Sequence, residues 1–585
     1  MREVPPTLRW QPAAFALALI LGLVVARLIH LSFYAPGGLL GVRTLELRLE
    51  ARRGRILDRR EAVLALDVPR YQVVLEYRPI AYGGDPERRA AWLRRVDEVL
   101  SPLLGFSVKE AARSWPDTWW QLPIAREVPE DLARVIARRI EEAGLRGVRV
   151  TPYWKRIYPE GALLGPVTGF VVFGPDARGV EGRRGASGVE RAYDGVLSGR
   201  AVILRVPVDA EGRPLPLEEA ALEEPEPGGD VVLTLDRTIQ AVVAEELARG
   251  LQESGAQRGD ALVLRPRTGE ILAMVSLPAF DPNAPETLER NARNPIVQDL
   301  YEPGSVFKIL TMAAALEAGV VRPETRYMDQ GCVEFGGAPI CNWDQDRYPG
   351  GRGWLDMTEL LIYSRNVGAA YLVRLLGPER FYAALHAFGI GEPTDVDLPY
   401  EMAGQLRAYG DPDWREADLG RQSFGQAVSV TPLQMAVAVS AVANDGLIMR
   451  PFIVRELRTA QGIQRVEPRV RRRAISAETA RTLREMLAAV IEREAVKARV
   501  PGYRMAGKTG TAQIPTPVGY DPRDTIASFV GFGPVEDPQV LILVKLDRPR
   551  RSPWGSEEAA PVFARIAARI LPMLGIPPSG SPEGR

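Results

Sequence analysis

The pattern that most constrains this chain's fold occurs twice. Residues 231–251, "VVLTLDRTIQAVVAEELARGL", read as a strand followed by a helix. Residues 259–278, "GDALVLRPRTGEILAMVSLP", read as an alternating hairpin that turns at Arg267–Gly269. The same grammar returns near the C-terminus: strands at "ASFVGFGPV" and "QVLILVKLD", then a helix at "APVFARIAARILPML". Distant segments with one strand-and-helix grammar fit a single sheet flanked by helices from both ends of the region, an α+β architecture. The acidic Pro/Gly stretch 217–230, "LEEAALEEPEPGGD", has no periodicity and reads as a domain boundary or exposed connection.

Upstream of that boundary the chain is punctuated and mixed α+β. "ARRGRILDRREAVLALD" reads as a turn and then a strand, and residues 85–147 are charged and helix-like, with helical apolar spacing in "LARVIARRIEEAG". Pro12–Tyr34, "PAAFALALILGLVVARLIHLSFY", is the one membrane candidate. At bilayer length and with no small-x-small cleavage site after it, it is expected to be an uncleaved anchor rather than a signal peptide. The expected organisation is a short cytoplasmic tail (1–11), an anchor (12–34), an N-terminal module (45–228), a main domain (229–574) and a disordered tail (575–585).

Composition excludes several chemistries. The formal net charge is zero, so nothing argues for a nucleic-acid partner. Two cysteines, Cys332 and Cys341, are too few for a zinc site or a disulfide framework; a local bridge and two free thiols both remain open. Of the two histidines, His30 lies in the apolar segment, and His386 sits in a helix-like stretch where packing is expected. A serine nucleophile in this chain therefore needs a base other than histidine.

Lysine supplies the lead. Only Lys109, Lys155, Lys308, Lys497, Lys508 and Lys545 are lysine, while 68 of the 74 basic residues are arginine. Positions that remain lysine in such a chain suggest a need arginine cannot meet, such as deprotonation. In "YEPGSVFKILTMAAALEAG" Ser305 opens a helix that Gly319 should cap, and Lys308 lies nearly one turn on, on the same face. The run Ala313–Ala315 indicates a buried helix, where a lysine's pKa falls toward use as a base. In "LLIYSRNVGAAYLV" Ser364 and Asn366 bracket Arg365 at a turn between two expected helices, although an ordinary N-cap serine reads equally well. In "RMAGKTGTAQ" Lys508 precedes a strand-like alternation that puts Thr509 and Thr511 on one face, with Gly510 between them allowing close backbone approach.

Ser-x-x-Lys, Ser-x-Asn and Lys-Thr-Gly, in that order, resemble the signature of penicillin-binding proteins and serine β-lactamases. "SFGQAVSVTPLQMA" and "SFVGFGP" agree with the transpeptidase domain, and "RRGRILDR", "RIYP" and "GASGVERAYDG" with the N-terminal module of the class B enzymes. Arg60-Glu61 departs from the family's "DRxG" turn, which leaves that turn's geometry open. Class A enzymes are disfavoured, because no histidine occurs between residues 31 and 385. The resemblance implies a peptidoglycan D,D-transpeptidase anchored in the cytoplasmic membrane, with its catalytic domain outside. Ser305 is then the nucleophile and Lys308 its base. Ser364 relays protons, Asn366 holds the substrate amide, and Lys508 supplies positive potential and orients Ser364. Thr509 and Thr511, about Gly510, bind the terminal carboxylate. The resemblance implies no metal or cofactor. It implies peptidoglycan stem peptides, β-lactam antibiotics and a SEDS-type membrane glycosyltransferase as partners. Between roles, "ICNW" beside Cys332 looks like the elongation enzyme and "YSRNVGAA" like the septal one; elongation is preferred. The rival readings are a β-lactamase or carboxypeptidase, a β-lactam sensor, and an idle scaffold that activates a glycan polymerase.

Overall fold

The computed structural model describes residues 18–27, 30, 44–76, 86–113, 121–175, 181–207, 224–284, 286–287, 292–516 and 519–579. No helix among the described residues is long and apolar enough to cross a membrane. Residues 18–27 are helical, but the flanks of the expected anchor (12–17 and 31–34) and the expected cytoplasmic tail lie outside the described residues. The chain divides into two compact units: residues 1–52, 69–155 and 199–227, and residues 53–68, 156–198 and 228–585.

In the smaller unit the helices Pro86–Leu104 and Glu130–Glu142 share a small apolar core, Val96 and Leu100 meeting Ala133 and Ile136 against Val73 and Leu75. Ala133 and Ile136 stand three apart, as the helical spacing in "LARVIARRIEEAG" requires.

In the larger unit the hairpin 259–278 and the C-terminal strands form one sheet, whereas the strand 230–233, expected in the same sheet, pairs with Ile56–Leu57 and with Val454–Thr459 in a second one. The first elements are β1 (Asp230–Leu233), α1 (Arg237–Ser254), β2 (Arg258–Leu264) and β3 (Ile271–Leu277). Asp236 caps α1 by accepting hydrogen bonds from the backbone N–H groups of Thr238 and Ile239. Next come α2 (Lys308–Glu317), the short hairpin β4 (Cys332–Phe335) and β5 (Ala338–Cys341), then α3 (Met357–Ile362) and α4 (Asn366–Leu376). The chain closes with α5 (Pro432–Ala443), α6 (Ala477–Arg493), β6 (Ala506–Thr516), β7 (Gly519–Gly533), β8 (Val540–Asp547) and α7 (Gly555–Met573). The five-stranded antiparallel sheet runs β3-β2-β8-β7-β6. Val540–Leu546 of β8 are buried without alternation, so both faces of the sheet must be covered. Helices α1 and α7 pack together and against it, joined by Arg565 and Arg569 of α7 on Glu246 of α1. All twelve residues of α5 are buried, the mark of a central helix with no solvent face.

Residues 53–68 and 156–198, expected in the N-terminal module, belong to this larger unit: Ile56, Leu64, Tyr158, Leu164 and Val189 are part of its apolar core, Arg59 N donates to the Leu235 carbonyl, and buried ion pairs tie the two segments to each other. Arg53 and Arg156 are buried against Glu190, Arg53 Nε and Arg156 Nε donating to its two carboxylate oxygens at 3.0 and 2.6 Å. Asp67 accepts from Arg53 N and Arg183, each at 2.8 Å. "RRGRILDR", "RIYP" and "GASGVERAYDG" thus converge on one buried ion network, while Ile56–Leu57 pairs in parallel with β1. In the unusual turn Glu61 adopts φ +69°, the conformation for which glycine is the usual residue. Asp58 holds it by accepting from Arg60 N and Ala62 N, and Glu61 pairs with Arg458 at 2.8 Å.

Two further expectations change, and one open alternative is decided. His386 lies exposed on the helix Pro378–Ala387 rather than packed. The tail expected to be disordered is held as far as Ser579: Tyr503 Oη donates to the Ile576 carbonyl at 2.8 Å and Ser579 N to that of Gly502 at 2.7 Å. The two cysteines form a disulfide joining β4 to β5.

Candidate active site

Ser305 lies in a tight 3-10 turn, Gly304–Phe307, that leads into α2. Within residues 301–310 it alone is not buried. The turn is fixed by close backbone approach: Gly304 (φ +57°) donates its N–H to Gly425, and a Cβ on it would lie 2.7 Å from the Thr511 carbonyl oxygen. Helix α2 ends as expected at Gly319 (φ +65°), with Gly319 N donating to Leu316 and Val320 N to Ala315.

Lys308 is 1% exposed, and its Nζ lies 3.1 Å from Ser305 Oγ, 2.6 Å from the Ser364 carbonyl, 3.3 Å from Ser364 Oγ and 2.8 Å from Asn366 Oδ1. No carboxylate is among these partners. Burial, with the nearby charges of Lys508 and Arg365, pushes its pKa well below the ordinary lysine value.

Ser364 is not an N-cap. It sits after the C-terminus of α3 at φ +54°, with its N–H donating to Leu361 and that of Arg365 to Leu360, a Schellman closure with serine where glycine is usual. Lys508 Nζ approaches Ser364 Oγ from the other side at 3.0 Å. Lys508 is also 1% exposed, and burial lowers its pKa to about 7 against a raising effect of Glu494. Both ends of the Asn366 amide are engaged within the protein, Oδ1 by Lys308 and Nδ2 by the Cys341 carbonyl at 2.9 Å.

Lys508, Thr509, Gly510 and Thr511 lie on β6, at the open edge of the sheet. Thr509, Thr511 and Gln513 line one cleft of about 660 Å³ together with Ser305, Ser364 and Asn366. Gly510 is glycine because a Cβ there would strike Ser528 Oγ and lie 2.8 Å from Val306 Cγ2, next to the nucleophile. The structure thus brings all eight expected residues to one place, with the two buried lysines flanking Ser364 Oγ.

Sequence reasoning missed three features. Arg365 is fully buried and ion-paired to Asp329 and Asp344. Trp343 and Trp554 meet edge to face at 5.0 Å on the cleft's wall. Phe424 lines the cleft, with Lys308 Nζ 6.0 Å from its ring centre.

Comparison with known proteins decides the family. The model of the penicillin-binding protein transpeptidase domain matches residues 259–568, and that of the penicillin-binding protein dimerisation domain matches residues 48–233. The chain belongs to the class B penicillin-binding proteins. Stage V sporulation protein D of Bacillus subtilis is 32% identical over 91% of this chain and 80% of its own length. A probable peptidoglycan D,D-transpeptidase PenA of Neisseria meningitidis is 30% identical over 91% and 86%. Penicillin-binding protein 3 of Mycobacterium tuberculosis, solved with aztreonam, matches at a TM-score of 0.67 and 27% identity, covering 91% of this chain and 98% of that one. In this penicillin-binding protein the larger unit carries a serine transpeptidase domain, of the type that acts in cell-wall synthesis.

Proposed function

We propose that this cleft cross-links peptidoglycan stem peptides through an acyl-enzyme on Ser305. The observation that carries the reading is Lys308 Nζ at 3.1 Å from Ser305 Oγ, buried and without a carboxylate partner. A neutral amine at that distance takes the hydroxyl proton as Oγ attacks the carbonyl of the penultimate D-Ala. The backbone N–H groups of Ser305 and Thr511 face the resulting oxyanion. As the C–N bond breaks, Ser364 Oγ, reached by both lysines, passes a proton to the leaving D-Ala amine. Thr509 and Thr511 hold the terminal carboxylate, with Gly510 allowing the strand to lie close. An acceptor amine then attacks the acyl carbon; its proton goes to Lys308 and on to Ser305 Oγ, which leaves free. Asn366 orients Lys308 through Oδ1, and the second hydrogen of Nδ2, beyond the one given to the Cys341 carbonyl, serves the stem peptide. A β-lactam, whose strained amide mimics D-Ala-D-Ala, acylates the same oxygen.

The protein is read as a single-pass protein of the cytoplasmic membrane, anchored by residues 12–34, with this domain outside. The Cys332–Cys341 disulfide supports an oxidising compartment. Residues 45–228 and the anchor form the surface for a SEDS-type glycan polymerase. The assigned role is elongation, on "ICNW" beside Cys332; depletion then gives rounded cells, whereas filaments would assign it to the septum.

The test is covalent labelling by a fluorescent penicillin. Wild type is labelled, and Ser305→Ala and Lys308→Arg are not. An unlabelled wild type at saturating drug sinks the active-site reading and leaves the scaffold role.

A further inference from the structure

Arginine is the default cation of this chain, so Arg365 carries no signal as a residue type; its surroundings do. It stands between Ser364 and Asn366, both of which touch Lys308, and its own side chain points away from the cleft into the protein. It is fully buried. Nη1 and Nη2 form a fork on Asp344 Oδ2 and Oδ1 at 2.8 and 2.6 Å, and Nε lies 3.0 Å from Asp329 Oδ2. Burying three charges costs several kcal/mol of desolvation per ion before pairing offsets it. Here the pairing holds a strained turn. A serine at φ +54° costs about 1 kcal/mol or more relative to glycine and persists only where its surroundings over-determine it.

The loop after β5 supplies that restraint residue by residue. The Arg365 side chain is held by Asp344, the Asn366 Nδ2 by the Cys341 carbonyl, and the Val367 N–H by Asn342 Oδ1 at 3.1 Å. Asn342 Nδ2 in turn donates to Asp329 at 2.6 Å, closing the circuit on the carboxylate that faces Arg365 Nε. We propose that Arg365 is the positioning residue of the proton relay: clamped by Asp344 and Asp329, it holds the Ser364–Asn366 turn so that the Ser364 carbonyl and the Asn366 amide oxygen both face Lys308 Nζ. A lysine would keep the charge but lose the planar fork. The inference rests on the reading of Ser305 and Lys308 as nucleophile and base.

The test separates geometry from charge and from folding. Acylation by a fluorescent penicillin is followed by stopped flow and split into the non-covalent dissociation constant and the acylation rate constant. Arg365→Lys, which leaves a cation for both aspartates but not the fork, is expected to fold with a lowered melting temperature and to keep its non-covalent constant while the rate constant falls at least about tenfold, since small misplacements of a reacting group cost about that much or more. The triple variant Arg365→Met with Asp329→Asn and Asp344→Asn removes all three buried charges and takes a carboxylate only from Arg352, a part-exposed side chain that lies 3.3 Å from Asp344, so it is expected to fold and to show the same selective loss. Wild-type rate constants in folded Arg365→Lys and in the triple variant would overturn the inference and leave the Ser305 reading intact. A wild type that is never labelled would overturn both.

Discussion

At the residue scale, three of the six lysines are buried in the larger unit, and the same side chain is driven in opposite directions by its company. Neither Lys308 nor Lys508 is ion-paired to a carboxylate, and burial lowers both, for Lys508 against the weaker raising effect of Glu494. Lys545 is equally buried, but Asp260 at 3.1 Å and Asp547 at 2.6 Å outweigh desolvation and raise it. Half of the lysines are thus buried cations, and the absence of a paired carboxylate marks those that burial can neutralise; of these Lys308 is the one that reaches Ser305 Oγ. Lys508 makes the sign testable. Between about pH 7 and 10.5 the unfolded chain holds the proton that the folded chain lacks, so stability contributed here rises with pH through that window. Below about pH 7 the cost of the buried ammonium is present in full. Lys508→Met should therefore gain more stability at pH 6 than at pH 10, read from urea midpoints at the two values; an equal gain at both would refute it. Glu61 tests backbone strain in the same way. Glu61→Gly relieves φ +69° and loses only an exposed pairing with Arg458, so it should stabilise by about 1 kcal/mol in chemical denaturation.

At the element scale, the site is made where ends of elements meet. Ser305 precedes α2, Ser364 follows α3, Asn366 opens α4, and the Lys508–Thr511 segment is an edge strand. An edge strand leaves backbone groups free on its outer side, which suits it to receive an extended peptide. Its fit against the 3-10 turn is the tightest tolerance. In Gly510→Ala the new methyl meets Ser528, Val306 and the Pro303 carbonyl, so the turn carrying Ser305 must move. Acylation by penicillin should fall by about a hundredfold or more, with thermal stability reduced by only about 1–3 kcal/mol; an unchanged acylation rate would show that the turn can yield.

At the scale of the whole molecule, the chain's order and its packing disagree. The N-terminal motifs at 53–59, 156–159 and 185–195 fold with the transpeptidase, around Glu190. Glu190→Ala leaves Arg53 and Arg156 as buried cations short of their partner and should cost about 3–5 kcal/mol. The loss should appear in the transpeptidase itself: calorimetry of the variant should show the penicillin-labelled transition shifted downward. A downward shift confined to the transition that penicillin does not stabilise would contradict this.

Sequence alone determined a sheet flanked by α1 and α7 and the helix α2 ending at Gly319, and it nominated the eight residues that the fold gathers at one cleft. Each rests on a local signal: alternation, helical spacing, a glycine where φ must be positive, or a short motif whose spacing matches a turn or a strand face. What the tertiary structure decided depends on residues far apart in the chain. Bridge or free thiols was settled by the pairing of β4 with β5. The place of residues 53–68 and 156–198 was settled by apolar packing and backbone hydrogen bonds to residues more than a hundred positions away. The burial of Arg365 was decided by Asp329 and Asp344, more than twenty residues before it. Charge pairing in a buried site is a matter of distance and desolvation, and neither is written in the order of the residues.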